Sequence, residues 1–325
     1  MPFALLSFAR ACAAVLAVAV MSAAQAANFP LRPVRIVVGF APGGSTDGVT
    51  REFARRLEAE IGQPAIVDNK PGAGQVVALQ TVQNAAPDGY TLLMGTTSSF
   101  AVSPHLYKSL HADALKFVPV APVASQANVL VAHPDFRIAS ISELLNAAKA
   151  RKAPLNYGTY GAGTGAHLAM EMLKAQAGIQ ATHIGYRGDA PALMALKSKE
   201  IDIAVITMFS AMSRIQSGEL LGIGVFQAKP DRSLPQLQTT EQAGYPEVDV
   251  PSWIGLFAPL GTPKAVTDKL EAAARAVVAT PDFQSFVLAR GNEPMSMSNA
   301  EFSRLIELQS RRLGQVIRSI KLQPE

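Results

Sequence analysis

The sequence has few residues of two kinds that decide what a protein can be. Among its 325 residues there is a single cysteine, Cys12, and aromatic residues make up 6%. One cysteine excludes an intrachain disulfide and a zinc site built from cysteines. The 29 Lys and Arg residues are scattered along the chain, so we expect no basic, aromatic face for nucleic acid.

What the sequence does contain is typical of a globular protein. Hydrophobic residues make up 49% of the chain and charged residues 17%, with a formal net charge of +4. This composition excludes a disordered chain, and the length suits two domains of about 100 to 200 residues each.

The first 26 residues differ from the rest of the chain. Arg10 is their only charge, and an apolar run from Ala11 to Met21 leads to small residues that end at Ala26. This order is typical of a secretory signal peptide (residues 1–26), cleaved after Ala26. A membrane anchor is the alternative, but the run is shorter than the roughly 20 residues that span a bilayer. We therefore expect an exported, extracytoplasmic mature protein that lacks Cys12.

Short β-branched runs alternate with amphipathic helical patterns from Val34 onwards. Strands are predicted at Val34–Gly39, Tyr90–Gly95, Asn128–Ala132, Leu155–Gly158, Ile201–Ile206, Leu221–Phe226 and Trp253–Ala258. Helices are predicted after the first strand, where Val49, Phe53, Leu57 and Ile61 form one face, and at Gln75–Ala85, Ile141–Ala150, Ala166–Ala177, Ala190–Lys199 and Lys264–Ala279. Because parallel strands need helical crossovers, we predict an α/β protein with mainly parallel sheets flanked by helices.

Several helix starts carry capping signals. Ser140 and Ser298 are each followed three residues later by a glutamate, the spacing of a capping box. Thr262 and Thr280 each precede a proline, which predicts an N-cap threonine before proline at the first helical position. A long last helix is predicted to bury one apolar stripe. The stripe consists of Phe302, Leu305, Ile306, Leu313, Val316 and Ile317.

Two glycine-rich loops stand where a strand passes into a helix, at residues 41–47 and 158–165. In open α/β sheets, ligands bind beyond the carboxyl ends of strands, where such loops lie. Two loops of this kind predict two lobes with a ligand cleft between them.

Neither loop contains a lysine or an arginine. Glycine allows close approach of backbone N–H groups, and a helix N-terminus adds about half a positive charge, so each loop is suited to a carboxylate. The polar strand end at residues 96–99 contributes Thr97 and Ser98 as further candidates. For either loop taken alone, a plain strand-to-helix turn without a ligand is the alternative.

Enzymatic functions fit the sequence less well. A phosphate-binding loop needs a lysine after its glycines, but Ser45 follows Gly44. The second loop matches a dinucleotide pattern only in part, and no acidic residue stands about 20 positions later. The five histidines form no H-x-x-x-H pair, and there is no G-x-S-x-G motif. No cofactor or metal is predicted, and a secreted hydrolase remains the weakest alternative.

Two further side chains are candidates with open alternatives. His167 lies just inside the helix after the second loop, where its ring either faces the cleft or packs in the interior. Arg187 follows a strand-like segment, and its guanidinium either pairs with a ligand carboxylate or with nearby Asp189.

An ordered set of motifs runs along nearly all of the predicted mature chain. The set comprises residues 40–47 (FAPGGSTD), 68–74 (DNKPGAG), 86–92 (APDGYTL), 158–168, 185–188 (GYRG), 241–245 (EQAGY), 253–259 (WIGLFAP) and 261–263 (GTP). In this order they resemble the Bug-type periplasmic receptors of tripartite tricarboxylate transporters.

The resemblance implies a two-lobed periplasmic binding protein in which lobe 1 is discontinuous. Lobe 1 would comprise residues 27–125 and 252–325, and lobe 2 residues 126–251, with a hinge where the two strands cross. The resemblance also implies a set of residues that hold a ligand carboxylate. That set is Ala41, Gly43, Gly44, Ser45 and Asp47 in lobe 1 and Tyr160, Gly161, Gly163, Thr164 and His167 in lobe 2.

Three positions depart from the family pattern. Gln75 stands where members often have glycine, and Gly185 where proline is usual. Thr207, itself a candidate ligand contact, stands where many members have an aspartate suited to a ligand amino group, so amino-acid ligands are disfavoured.

The resulting main hypothesis is a non-catalytic, monomeric receptor that delivers a small di- or tricarboxylate, or a related organic acid, to a membrane permease. The alternative client is a membrane sensor.

Overall fold

The structure is a computed structural model that describes residues 29–107 and 116–323. The predicted signal peptide, with Cys12, lies outside the described residues. No helix within the described ranges combines the length and the apolar character needed to cross a membrane.

Strands and helices alternate along the chain, as the sequence patterns predict. The strands are β1 (Val34–Val38), β2 (Ala65–Asn69), β3 (Thr91–Thr96), β4 (Phe117–Gln126), β5 (Asn128–Ala132), β6 (Leu155–Thr159), β7 (Ala181–Gly185), β8 (Ile203–Thr207), β9 (Leu221–Val225), β10 (Gln238–Thr239), β11 (Ser252–Pro259) and β12 (Asn292–Pro294). The helices are α1 (Ser45–Ile61), α2 (Val76–Gln83), α3 (Ser103–Leu106), α4 (Ile141–Ala150), α5 (Gly165–Ala177), α6 (Asp189–Lys197), α7 (Met208–Gln216), α8 (Lys264–Ala279), α9 (Pro281–Leu288) and α10 (Asn299–Ser319).

The strands form two six-stranded sheets. The first has the order β12-β4-β11-β3-β1-β2, and the second has the order β10-β9-β5-β8-β6-β7. The chain passes from the first sheet to the second between β4 and β5, and it returns before β11. The first sheet is therefore discontinuous in sequence.

Both sheets are mixed, so the prediction of mainly parallel sheets is wrong. In the first sheet β1 is parallel to β2 and β3, but β11 is antiparallel to both of its neighbours. In the second sheet β5 is antiparallel to both β8 and β9. The antiparallel strands β11 and β5 are the ones that the chain enters directly from the other sheet, without a helical crossover.

The sequence patterns missed β4, which carries Pro119 and Pro122 although it lies between β11 and β12. Proline cannot donate to a sheet ladder and is therefore unexpected in a central strand. Here the ladder between β4 and β11 shifts register between Ile254 and Gly255 and again between Leu256 and Phe257. Pro122 and Pro119 pair with the residues at these irregularities, where a ladder bond is already lost.

Three of the four predicted caps are confirmed. The hydroxyls of Ser140, Thr280 and Ser298 each accept a hydrogen bond from the backbone N–H three residues later. The Thr262 cap is wrong, because α8 has Pro263 at its N-cap and the Thr262 hydroxyl donates to the carbonyl of Pro259 instead.

The predicted apolar faces of the first and last helices are confirmed. Along α1 Val49, Phe53 and Leu57 are fully buried. Along α10 Phe302, Leu313 and Ile317 are buried, and the other members of the predicted stripe pack partly buried against the core.

Candidate functional site

The ends of the two sheets that carry the glycine loops face each other. The Ala41 N–H, beyond β1, donates to the carbonyl of Arg187, beyond β7, at 2.9 Å. The Gly165 N–H, at the start of α5, donates to the hydroxyl of Ser98, beyond β3, at 3.1 Å. The Ser103 hydroxyl also donates to the carbonyl of Gly163 at 3.1 Å. The predicted loops of both sheets therefore line one interface.

The first loop is held by the helix that follows it. Gly43 has φ +91°, a conformation that favours glycine, and its N–H donates to Asp47 Oδ2 at 3.0 Å. Gly44 is the N-cap of α1 and provides no side chain to cap it. The α1 N-terminus therefore depends on other groups for its hydrogen-bond acceptors.

The second loop is held in a similar way. Gly163 has φ +69°, and its N–H donates to His167 Nδ1 at 3.1 Å. The Thr164 hydroxyl caps α5 by accepting from the His167 N–H, and it donates to the carbonyl of Gly161. In both loops, the side chain four residues after a glycine accepts a hydrogen bond from the N–H of that glycine.

Asp47 is an ionised side chain that holds the first loop in its conformation. Burial raises the pKa of Asp47, but hydrogen bonds from Arg51, the Gly43 N–H and Asn69 outweigh it and hold that pKa below its usual value. Asp47 Oδ1 accepts from Asn69 Nδ2 at 2.9 Å. All these contacts lie within the loop and its neighbouring elements, so Asp47 shapes the loop.

His167 is a buried member of a histidine pair. Its ring stacks on that of His183, with centroids 3.8 Å apart, and the side chain is 2% exposed. His183 Nε2 lies 2.7 Å from the Thr159 hydroxyl. Of the two alternatives for His167, packing in the interior is therefore the correct one. The ring affects the site through the hydrogen bond that it accepts from the Gly163 N–H.

The His183 ring is expected to make stability depend on pH. Burial lowers the pKa of His183 from 6.5 to about 4. In the unfolded chain His183 binds a proton near pH 6.5, whereas in the folded protein it binds one only near pH 4. This stabilising contribution is complete above pH 6.5 and is lost as the pH falls to about 4, a loss of up to about 3 kcal/mol.

Urea unfolding of the wild type and of His183→Gln at several pH values between 7 and 4 measures this contribution. We expect the free energy of unfolding to fall less steeply with decreasing pH in the variant. His133→Gln, a change at a partly exposed ring, is the control and should retain the wild-type slope. Parallel curves for the wild type and His183→Gln would contradict the assignment.

The Arg187–Asp189 ion pair, one of the two alternatives for Arg187, is wrong. Asp189 is buried and accepts hydrogen bonds from Ser45, Thr207 and Ser210, whereas Arg187 is exposed at the cleft. Asp189 is the first residue of α6, so its side chain points away from the Arg187 loop and towards the starts of α1 and α7.

Tyr160 lies at the centre of the interface. Its hydroxyl donates to Asn128 Oδ1 at 2.9 Å, and its ring packs edge-on against Phe40. Burial, together with the nearby Asp189 carboxylate, raises the pKa of Tyr160 above its usual value. The phenol is therefore neutral and serves as a hydrogen-bond donor.

A cavity of about 220 Å³ opens beside the second glycine loop, and the first glycine loop does not line it. Its walls include Tyr160, Gly161, Thr164 and Arg187 from the second-sheet side and Phe40 from the first. A second, much smaller cavity of about 10 Å³ shares Phe40 and Tyr160 with it. Gly44, Ser45, Asp189 and Thr207 also line this smaller cavity.

The remaining predicted candidates make hydrogen bonds near the interface, and Ser98 joins its two sides. The Thr97 hydroxyl donates to the carbonyl of Pro251 and accepts from the Trp253 N–H, so it binds the returning strand. Ser98 accepts from Gly165, and Thr207 donates to Asp189. Sequence analysis missed Asn128 as a partner of Tyr160, because no local pattern relates the start of β5 to the end of β6, 32 positions away in the chain.

Gln75, one of the departures from the family pattern, has a structural explanation. It has φ +77°, a conformation in which glycine is favoured, and is 1% exposed. Its amide donates to Thr96 and accepts from Ser99. A Cβ added at Gly39 would lie 2.6 Å from the Gln75 side chain, so the glycine at 39 makes room for it.

A third cavity, of about 570 Å³, lies on the other side of the crossing strands. It is lined by Gln126 and Asn292 and by residues 226–233, and neither glycine loop contributes to it. The cavity of about 220 Å³, which the second glycine loop lines, is therefore the candidate ligand site.

The sequence matches a family model over residues 49–322, and that family is the tripartite tricarboxylate transporter family receptor. The chain belongs to this receptor family. Receptors of the family are periplasmic, and their fold and role are those of substrate-binding proteins.

Individual members of the receptor family cover almost the whole chain. A UPF0065 protein of Bordetella pertussis is 45% identical over 324 residues, which is 100% of this chain and 99% of that protein. The solved structure of periplasmic binding protein BugD is 30% identical, with a TM-score of 0.87 over 91% of this chain and 100% of its own. The structure of R. palustris Rpa4515 with adipate is 28% identical, with a TM-score of 0.87 over 91% of this chain and 100% of its own. These similarities confirm the predicted Bug-type receptor and its two-lobed binding-protein fold.

Proposed function

We propose that this receptor captures a small organic acid between two lobes and delivers it to the membrane permease of a tripartite tricarboxylate transporter. Lobe 1 comprises residues 27–125 and 252–325, and lobe 2 comprises residues 126–251. The membership of the two sheets supports this division, because the strands of the first sheet all fall within lobe 1 apart from the last residue of β4. The structure with adipate supports a carboxylate ligand in a similar protein.

The observation that carries the proposal is the cavity of about 220 Å³ that the second glycine loop lines together with Phe40, Gly72 and Gly74 of lobe 1. Thr164, Gly161 and the Tyr160 backbone would surround the ligand carboxylate near the start of α5. The helix dipole of α5 favours an anion there. Arg187, exposed at the rim, adds a cation that can steer and pair with the acid.

The remaining predicted contacts have supporting roles in this proposal. Asp47 and His167 hold Gly43 and Gly163 in their left-handed conformations, and Thr97 and Ser98 bind the two lobes to each other. Ala41, Gly44 and Ser45 form the lobe 1 side of the closed interface. Opening would occur at the two crossings, near residues 126–128 and 250–252, as a hinge motion driven by the ligand's preference for the closed form.

A thermal-shift screen of mono-, di- and tricarboxylates tests the proposal. An acid present at about 100 times its dissociation constant should raise the free energy of unfolding by about 2.7 kcal/mol. The primary amide of the same acid is the control, because it keeps the size and loses the charge. An acid that is no better than its amide, or the absence of any shift, would contradict carboxylate capture.

A further inference from the structure

Asp189 is a buried carboxylate that the chain surrounds with hydrogen-bond donors. The side chain is 3% exposed. Its Oδ2 accepts from the Thr207 hydroxyl at 2.6 Å and from the Ser210 hydroxyl at 2.8 Å, and its Oδ1 accepts from the Thr207 N–H at 3.2 Å. Across the interface, the Ser45 N–H approaches Oδ2 at 3.4 Å. The contacts that the structure shows for this carboxylate are to hydroxyl and backbone donors.

Three helices start at this carboxylate. α1 begins at Ser45, α6 at Asp189 and α7 at Met208. Each helix start carries unpaired N–H groups and a partial positive charge, so three of them stabilise one buried anion without a lysine or an arginine. The three helix starts together form an anion site, and the anion that occupies it is the Asp189 carboxylate of the chain itself.

The contact with Ser45 joins the two sheets. Ser45 follows the first glycine loop, whereas Thr207 and Ser210 follow β8 of the second sheet. Because Gly44 has no side chain to cap α1, Asp189 provides the missing acceptor from the other side of the interface. A Cβ added at Gly44 would lie 3.3 Å from Asp189 Oδ2, so glycine permits this close approach.

Asp189 lies next to the candidate ligand site without lining it. It lines the cavity of about 10 Å³, which Phe40 and Tyr160 separate from the cavity of about 220 Å³. Gln126 lines the same small cavity, and its buried Oε1 accepts no hydrogen bond from the described residues. A ligand carboxylate that passed Phe40 and Tyr160 into the small cavity would therefore meet a carboxylate and an unpaired carbonyl oxygen, both of which repel anions.

We propose that Asp189 is a specificity-determining residue that restricts this receptor to acids with a single carboxylate. The proposal rests on the carboxylate-binding function proposed above. The first ligand carboxylate binds beside the second glycine loop. A second ligand carboxylate would need the N–H donors at the start of α1, but Asp189 already accepts a hydrogen bond there. Two carboxylates next to each other in a buried site cannot both remain ionised without a large cost.

Calorimetric titration with acid pairs of equal length tests this selection. The pairs are butanoate with succinate and hexanoate with adipate. One of the two monoacids will bind to the wild type more tightly than the other. We expect that monoacid to bind at least about tenfold more tightly than the diacid of the same length. In Asp189→Asn the charge is gone but the shape is kept, and we expect the diacid to bind at least as tightly as the monoacid.

Asp135→Asn is the control, because it removes one negative charge from an exposed position in the same lobe and should keep the wild-type preference. Asp189→Ser repeats the comparison with a smaller side chain if Asp189→Asn does not fold. Equal or tighter binding of the diacid by the wild type, or an unchanged preference in both Asp189 variants, would overturn this inference alone. If no acid binds to any of the proteins, the carboxylate function itself fails, and this inference fails with it.

Discussion

Gly43→Val is expected to weaken carboxylate binding about ten- to a hundredfold while both sheets remain folded. Gly43 has φ +91°, and a β-branched residue in that conformation is strained by about 1 to 3 kcal/mol. The free loop can relieve this strain, but the closed, liganded form cannot, so the strain appears as lost affinity at about 1.4 kcal/mol per tenfold. The added side chain would also point towards Ala190, whose Cβ lies 3.9 Å from an ideal Cβ at this position.

Isothermal titration with the best acid from the thermal-shift screen measures this effect. Gly62→Val is the matched control, because Gly62 also has a positive φ, +70°, but ends α1 with no atom within 4 Å of an added Cβ. We expect Gly62→Val to lose stability without losing affinity, and Gly43→Val to lose affinity. Wild-type affinity in Gly43→Val would show that the first loop is not part of the ligand site.

Trp253→Ala is expected to destabilise the protein by about 4 kcal/mol, the largest loss of stability among these substitutions. Trp253 is 1% exposed on β11, and its ring packs among those of Phe100, Phe257 and Phe302. Its Nε1 donates to Gln309 Oε1 at 2.7 Å, so alanine leaves a cavity and also a buried amide without its donor.

Urea unfolding followed by far-ultraviolet circular dichroism measures the loss, because Trp253 is the only tryptophan and its fluorescence disappears with the substitution. Leu260→Ala, just past the end of β11 and 61% exposed, is the control and should cost less than about 0.5 kcal/mol. A loss of under 1 kcal/mol in Trp253→Ala would contradict the packing described for this cluster.

Elements whose residues follow a regular apolar spacing were predictable from the sequence. The strand Asn128–Ala132 and the helices Ile141–Ala150 and Lys264–Ala279 have the predicted bounds. Burial imposes these spacings locally, within the element itself, so no knowledge of neighbouring elements is needed. The strand β4 was not predicted, because its prolines argue against a central strand. Only its pairing with β11 shows that these prolines occur at register shifts.

In the candidate site, too, one part was predictable from the sequence and another part was not. Glycine loops before helices can be recognised from neighbouring residues, because positive φ values and helix starts are local requirements. The role of Asp189 could not be recognised in this way. Arg187, two positions away, suggested an ion pair, but the fold brings Asp189 to Ser45, 144 positions away in the chain.

The sequence by itself determined the family, the alternation of strands and helices, and the two loops without lysine or arginine. The tertiary structure decided the mixed strand directions, the partners of Tyr160 and Asp189, and the placement of the cavity beside the second loop. The physical reason is that hydrogen-bonded turns and apolar faces depend on residues a few positions apart. The pairing of buried polar groups, by contrast, depends on which strands become neighbours and which sheet ends meet, and both are fixed only when the whole chain folds.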